Sequence, residues 1–336
     1  MKASRRIGLI GQIALFVLLW AGAPPILDSL RRGAPEAEAA EPVTLSMSWV
    51  FVGRHSWYFA AEENGYFREA DLAVKIIRGH GGGDTVKKLS AGSFEFAEID
   101  TGNIIVARAR GSKVKMISVH LIKAPFGIFS LKGSGITRPK DLEGKTIGAG
   151  DIDAMRVLFP AFARKAGIDP ARVKWTSMIP AAKVGTLKTQ KVDAITGFVD
   201  TFGGALSVQG LDFRVLRYSD HGFDILASGM VTTDSLIAEK PALVKRFLTA
   251  VNRGIVWTIK DQDGAIQAMR KHHPELNGKI LRKQLEITPE FMGDVNQPRF
   301  GWIDPERMRF TRDTTVAAMK LKNVALEDIY TNQFIE

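Results

Sequence analysis

GGGDTVKKLSAGSFEFAEI, residues 81–99, combines a glycine-rich turn, a helical pattern and a short strand pattern, and it decides the fold. Residues 86–100 align with residues 184–198 at a constant offset of 98 (184 minus 86), with Val and Leu at matching positions in both copies. The apolar spacing predicts a short helix that leads into a short strand in each copy. The internal repeat therefore predicts two similar lobes.

Strand-like runs alternate with helical patterns on both sides of the repeat, which is typical of the α/β fold class. The predicted strands cover residues 43–47, 73–77, 94–99, 114–120, 126–131, 145–149, 173–177, 194–197 and 213–216. After about Ser235 the pattern becomes nearly continuous helix. Pro241 stands at the favoured first-turn position of a helix predicted over residues 242–259.

The limits of the two lobes follow from this change of pattern. We expect lobe 1 at residues 41–123 plus 233–336, lobe 2 at residues 124–232, and hinge crossings near residues 124–126 and 225–232. Ligands of open α/β sheets bind outside the carboxyl ends of the strands. Two such sheets facing each other predict a ligand between the lobes.

The first forty residues have the pattern of an export signal. Three basic residues precede an apolar run at residues 7–21, and residues 34–40 are rich in small side chains. The apolar run is shorter than the roughly 20 residues that a membrane-spanning helix needs, which disfavours a retained signal anchor. We therefore expect residues 1–40 to be a cleaved signal peptide and the mature protein to be periplasmic.

Composition and charge exclude several classes of protein. The 336-residue chain is 45% apolar and 24% charged, which suits a globular protein. Its net charge of +10 becomes +8 (41 minus 33) without residues 1–40, which carry five basic and three acidic groups. Because Lys and Arg are interleaved with Asp and Glu, we expect no nucleic-acid partner. The sequence contains no Cys, so disulfides, thiolate metal sites and a cysteine nucleophile are excluded.

Enzymatic motifs are incomplete in this sequence. Gly144–Thr146 resembles the end of a phosphate-binding P-loop, but Pro139 stands where the loop needs glycine. His80–Gly83 resembles the oxyanion tract of lipases, yet the chain has no G-x-S-x-G motif. Its six histidines lack H-E-x-x-H spacing and Cys partners. We therefore expect no catalytic residue, no metal and no cofactor.

Two loops at predicted strand ends carry candidate ligand-binding residues. They are Trp49, His55, Gly82, Gly83, Asp84 and Thr85. A flat ring in the first loop can stack on a planar ligand, or can fill the core instead. Glycines in the second loop let a ligand approach the backbone, where free helix amides attract acceptors. Asp84 opposes an anion, because its carboxylate can cap the helix and repel negative charge.

Acidic side chains follow several other predicted strands. The further candidates are Asp100, Asp151, Arg156, Phe198 and Asp200. Helix capping is the alternative role for the carboxylates, and pairing with Asp153 is the alternative role for Arg156. One or two carboxylates facing the ligand would favour N–H donors over a sulfonate or nitrate.

Five segments together resemble the periplasmic solute-binding proteins of ABC importers, in the branch for nitrate, sulfonates, taurine and thiamine-pyrimidine precursors. They are AAEENGYF at 60–67, GGGDTVKKLSAGSFEFAEI at 81–99, DLEGKTIGAG at 141–150, FPAFARKAGID at 159–169 and KVDAITGFVD at 191–200. The resemblance implies a two-lobed periplasmic-binding-protein (Venus-flytrap) fold with a hinge of two crossing segments. It also implies C-terminal helices packed on the first lobe, a monomer, and delivery of a small molecule to a membrane permease and its ATPase.

The resemblance also bears on the ligand. Pyrimidine-precursor members place aromatic rings and an acidic group around an aminopyrimidine, and Trp49, His55, Phe198 and Asp200 occupy comparable positions. We therefore expect a small planar ligand that contains nitrogen or is aromatic. A sulfonate, taurine or nitrate is the alternative ligand. A pyrimidine-synthase-like enzyme is an alternative of another class, but the eukaryotic synthases of this kind have a cysteine-rich segment that this chain lacks. A sensor protein with the same fold is the third class of function.

Overall fold

The computed structural model describes residues 40–151 and 153–335, so the predicted signal peptide lies outside the described residues except for Ala40. The described residues fold into two five-stranded mixed sheets with helices packed against them, which confirms the α/β class. Across these two ranges, no helix combines the length and the apolar character needed to cross a membrane.

Ten strands form within the described residues. They are β1 Glu41–Met47, β2 Leu72–Ile77, β3 Phe96–Asp100, β4 Val114–Val119, β5 Phe126–Leu131, β6 Thr146–Ala149, β7 Lys174–Ser177, β8 Ala194–Phe198, β9 Phe213–Arg217 and β10 Ser228–Thr233. The first nine agree with the predicted strands to within two residues. Strand β10 was not predicted, because its small and polar residues lack an apolar pattern. Gly229 is required there, since a Cβ atom would lie 2.0 Å from the Ser118 carbonyl oxygen on β4.

Thirteen α-helices connect or follow these strands in the described part of the chain. They are α1 Ser56–Glu63, α2 Tyr66–Glu69, α3 Gly82–Ser90, α4 Thr101–Ala109, α5 Ala154–Ala166, α6 Pro180–Lys188, α7 Val199–Val208, α8 Asp234–Glu239, α9 Pro241–Lys260, α10 Gln262–His272, α11 Gly278–Ile287, α12 Pro305–Met319 and α13 Leu326–Ile329. A 3-10 turn at Gly53–His55 precedes α1. The long helix α9 begins at Pro241, close to the predicted start at residue 242.

The two sheets have the same topology. The first has the strand order β2-β1-β3-β10-β4 and the second has the order β7-β6-β8-β5-β9. In each sheet three neighbouring strands are parallel, and the fourth, β10 or β5, runs antiparallel to both its neighbours. The units α3–β3 and α6–β8 occupy equivalent places, and they are the two copies of the sequence repeat. The internal repeat is therefore confirmed.

Strand β10 changes the interpretation of the second predicted crossing. Ser228–Thr233 pairs with β3 and β4 of the first sheet, so this part of the segment 225–232 is a central strand and not a linker. The sequence predicted a linker here because Gly and Thr residues in this strand have the pattern of a loop. The limits of the two lobes stay a prediction.

Helix α9 packs on the first sheet, as the resemblance implies. Its apolar stripe includes Phe247, whose ring stacks on Phe96 of β3 at 3.9 Å and on Phe67 of α2 at 5.9 Å. Helix α9 also approaches α1 closely, because a Cβ atom at Gly254 would lie 2.5 Å from the Trp57 carbonyl oxygen. Burial of this stripe joins the C-terminal helices to the first sheet.

Helix α11 makes contacts beyond the packing on the first lobe that the resemblance implies. One side of α11 contacts the turn that precedes α1. Another side contacts helix α7, which follows β8 of the second sheet. A Cβ atom at Gly53 would lie 2.3 Å from the Leu281 carbonyl oxygen, and one at Gly204 would lie 2.7 Å from Cγ of Gln284. Two glycines thus let α11 contact elements of both sheets.

We expect Gly53→Ala to destabilise the fold by about 1–3 kcal/mol, because the new methyl group would meet main-chain atoms of α11. Gly83→Ala is the matched control, since a Cβ atom at Gly83 meets nothing within 4 Å and Ala favours a helix. Denaturant unfolding of both variants measures the difference. Equal stability of the two variants would contradict the close packing of α11.

Candidate functional site

The candidate site lies at the carboxyl ends of β1, β3 and β8, and it is built on the tight turn that follows β1. Nδ1 of His55 accepts a hydrogen bond from the Val52 main-chain N–H at 3.2 Å, which closes this turn. The closed turn buries Arg54, which is 7% exposed, beside His55. Carboxyl ends of parallel strands are the usual ligand-binding edge of such sheets.

Arg54 joins the two sheets through charged hydrogen bonds. Its Nε donates to Oε1 of Glu98 on β3 at 3.2 Å, and its Nη1 donates to Oδ2 of Asp200 on α7 at 2.9 Å. All three side chains are buried. Burial lowers the pKa of Arg54, but Asp200 and Glu98 raise it by more, so the guanidinium stays charged.

Glu98 is held as a carboxylate in the buried part of β3. Tyr58 donates its hydroxyl to Oε2 of Glu98 at 2.6 Å, and Nε2 of His55 lies 3.6 Å from Oε1. Burial raises the pKa of Glu98, but His55, Arg54 and Tyr58 lower it by more, so its pKa lies well below the usual range. Burial lowers the pKa of His55, and its Nδ1 accepts from Val52, so the ring is neutral and carries its proton on Nε2, the nitrogen nearer Glu98.

Two further carboxylates face the same guanidinium. Asp200 accepts hydrogen bonds from the main-chain N–H (2.7 Å) and the hydroxyl (3.2 Å) of Thr201 in addition to Arg54. Asp100 accepts one from the Ser228 hydroxyl at 3.0 Å. Burial raises the pKa of Asp100, an effect that Arg54 and Ser228 offset only in part.

These residues form one group, buried except for the half-buried Asp100, which we name the Arg54 cluster. Its members are Arg54, His55, Tyr58, Glu98, Asp100 and Asp200. Among the described residues it combines three carboxylates with one guanidinium and a neutral imidazole. The Arg54 cluster therefore carries surplus negative charge.

The other candidates from the loops after β1 and β2 lie at the carboxyl-end edge of the first sheet, which we call its rim. Trp49 is 43% exposed, and its carbonyl oxygen accepts from Gly79 N–H at 3.0 Å, which holds the two loops side by side. Thr85 is buried, and its hydroxyl donates to the Gly81 carbonyl at 3.1 Å. The glycines Gly82 and Gly83 open α3, with Gly83 exposed to solvent.

Asp84 does not cap α3, contrary to the alternative drawn from the sequence. Gly81 is the capping position, and Asp84 lies in the first turn, where Lys88 pairs with it at 2.8 Å. The helix can begin one turn earlier than expected because glycine adopts the backbone φ of 132° found at Gly81.

The rim of the second sheet holds Asp151 and Arg156. Nη1 of Arg156 donates to Asp151 at 2.8 Å and to the Ser177 hydroxyl at 3.0 Å. The alternative pairing of Arg156 with Asp153 is wrong, because Asp153 caps α5 and accepts from the buried Nζ of Lys183 at 2.7 Å. Phe198 is half-buried, with its ring 5.4 Å from that of Phe126.

The structure therefore brings together His55, Asp100 and Asp200, and leaves the other candidates on the two rims. Sequence reasoning missed Arg54, Tyr58 and Glu98, which complete the cluster. Glu98 did carry a signal, since it is a charged residue between the apolar residues Ala97 and Ile99 of β3. A buried charge of this kind requires a partner.

His120, directly after β4, is a second buried titratable group near the cluster. Neither ring nitrogen has a hydrogen-bond partner among the described residues, and the Trp57 ring meets it edge-on at 5.9 Å. Burial lowers the pKa of His120 to about 4, and Glu98 opposes this only weakly. The ring is therefore neutral at physiological pH.

We expect stability to fall as the pH drops from about 6.5 to about 4. Over this range the unfolded chain protonates His120 near its ordinary value of 6.5, whereas the folded protein does so only near 4. This one group would cost about 3 kcal/mol at the lower end. Thermal unfolding of His120→Phe should show a shallower pH slope, and His80→Gln, at an exposed position, should match the wild type. An unchanged slope in His120→Phe would contradict the assignment.

Three relatives share about a quarter of their residues with this chain. A 4-amino-5-hydroxymethyl-2-methylpyrimidine phosphate synthase from Legionella pneumophila is 24% identical over 87% of this chain and 92% of its own. The riboflavin-binding protein RibY from Chloroflexus aurantiacus is 25% identical over 98% of this chain and 97% of its own. A formylaminopyrimidine-binding protein from Halalkalibacterium halodurans is 24% identical over 81% of this chain and 84% of its own.

A solved structure confirms the fold. The periplasmic aliphatic sulphonate binding protein SsuA from Escherichia coli superposes with a TM-score of 0.72 at 18% identity, covering 88% of this chain and 94% of SsuA. The two sheets and their helices therefore have the two-lobed periplasmic-binding-protein fold. The sequence profile of the NMT1/THI5 like family matches residues 53–265, and this chain belongs to that family.

Proposed function

We propose that the protein is an extracytoplasmic solute-binding receptor. It captures a small planar ligand, nitrogen-containing or aromatic and similar to a thiamine-pyrimidine precursor, between its two sheets. It then delivers this ligand to an ABC permease and its ATPase, and it meets the membrane only through the permease. In this proposal residues 1–40 direct export and are removed.

The surplus negative charge of the Arg54 cluster is the observation that carries the proposal. Asp100 has no ion-pair partner within hydrogen-bond distance among the described residues, and Ser228 is its hydrogen-bond donor. A carboxylate largely withdrawn from water is stabilised by additional N–H donors, and charge-assisted hydrogen bonds are about twice as strong as neutral ones. An aminopyrimidine supplies such donors, whereas a sulfonate or nitrate supplies acceptors and negative charge.

The exposed ring of Trp49 supports a planar ligand. Its 43% exposure at the end of β1 favours contact with a ligand over core packing. Aromatic stacking adds roughly 0.5–1.5 kcal/mol per pair beyond the burial of area. Two relatives are named for riboflavin and formylaminopyrimidine, which are both planar nitrogen heterocycles.

Two alternatives have specific support. The likeness to SsuA and the guanidinium of Arg156 on the second rim favour a sulfonate, taurine or nitrate. The Legionella relative, named as a synthase, favours a pyrimidine-forming enzyme. The three carboxylates of the cluster weigh against an anion, and the absence of Cys from the sequence separates the chain from the eukaryotic synthases, which have a cysteine-rich segment.

Ligand binding by the mature protein tests the proposal. Thermal shift and calorimetry would compare 4-amino-5-hydroxymethyl-2-methylpyrimidine, riboflavin, an alkanesulfonate and nitrate. A heterocycle at 100 times its Kd should add about 2.7 kcal/mol of stability and should be recovered unchanged. Stabilisation by anions alone, or chemical conversion of the heterocycle, would overturn the proposal.

We expect Asp100→Asn to weaken heterocycle binding by roughly 10- to 100-fold, because a charged acceptor is lost. An anion should bind as well or better, since a repelling charge is gone. Burial raises the pKa of Asp100, so its neutral replacement should not weaken folding. Asp212→Asn, at an exposed aspartate paired with Lys132, is the control. Unchanged heterocycle affinity in Asp100→Asn would place the ligand elsewhere.

A further inference from the structure

Gln284, on the buried face of α11, spans the two halves of the Arg54 cluster. Its Oε1 accepts from the Gly53 N–H at 2.8 Å, and its Nε2 donates to the Thr201 carbonyl oxygen at 3.1 Å. Gly53 precedes Arg54 in the chain, and Thr201 follows Asp200. Since Arg54 donates to Asp200 at 2.9 Å, these contacts close a ring of hydrogen bonds around the junction of the two sheets.

Packing holds Gln284 in a narrow slot. The residue is 5% exposed. A Cβ atom at Gly53 would lie 2.8 Å from its Cβ, and a Cβ atom at Gly204 would lie 2.7 Å from its Cγ. The side chain therefore passes between two main-chain segments, each of which has a glycine at the point of contact.

The partners also determine the residue type. One partner is a main-chain donor and the other is a main-chain acceptor, so the side chain must supply both an oxygen and an N–H. Glu lacks the donor, Met lacks both groups, and Asn is shorter by one methylene. A buried donor or acceptor left without a partner is unfavourable, so each of these replacements should loosen the contact.

We propose that Gln284 is a positioning residue of the candidate site. By holding the main chain beside Arg54 and the main chain beside Asp200, it sets the spacing of the ion pair that joins the two sheets. Through that spacing it controls how long a ligand is retained, a consequence that rests on the proposed function.

Amide hydrogen exchange in the unliganded protein tests the positioning directly. The Thr201 N–H donates to Oδ1 of Asp200, whose Oδ2 accepts from Arg54, so its exchange reports on the carboxylate of the ion pair. We expect about tenfold faster exchange at Thr201 in Gln284→Asn and in Gln284→Met. The control is Gln267→Met, at an exposed position on α10. Faster exchange at Gly53 alone would overturn the proposal, and Gln284→Asn decides if the Met variant does not fold.

The dissociation rate of 4-amino-5-hydroxymethyl-2-methylpyrimidine tests the consequence. We expect it to rise about tenfold in Gln284→Asn, with Gln267→Met unchanged. An unchanged rate in Gln284→Asn would contradict control of ligand retention. If the wild type binds no heterocycle, the proposed function is wrong, and the exchange at Thr201 still decides the role of Gln284.

Discussion

One buried guanidinium connects the two halves of this protein. Arg54 donates to Glu98 on the first sheet and to Asp200 beside the second, and the removal of three charges from water is tolerable only because they pair. Arginine suits this place, because its planar fork reaches two carboxylates in fixed directions, which the single ammonium group of lysine does not. The turn closed by His55, the hydroxyl of Tyr58 and the amide of Gln284 all hold this pair in place.

The Arg54 cluster also constrains how a ligand binds. Arg54 and Thr201 occupy Asp200, so a ligand that used this carboxylate would exchange one charge-assisted hydrogen bond for another, at little net gain. Asp100 has more to gain from a new donor, since Ser228 is the partner that the structure gives it. In the proposed function the carboxylates of the cluster select the ligand by charge, and the exposed ring of Trp49 adds contact area.

Local sequence patterns predicted most of the helices and strands. They failed where the structure depends on contacts between residues that are distant in sequence. The repeat in residues 86–100 and 184–198 placed α3–β3 and α6–β8 correctly, because apolar spacing reflects burial of each element. The close approaches of α11 and β10 depend on glycines at the points of contact, and the need for glycine becomes visible only when both contacting segments are in place. Arg54 was missed for the same reason, since its partner Asp200 lies 146 residues away in sequence.

A double-mutant cycle between Arg54 and Asp200 tests the central claim most directly. Arg54→Met, Asp200→Asn and the double variant would be unfolded by denaturant beside the wild type. Arg54→Met should lose about 3–5 kcal/mol, because it leaves buried carboxylates without their cation. The double variant should lose less than the sum of the single losses by about 0.5–3 kcal/mol. Additive losses would contradict an ion pair that joins the two sheets.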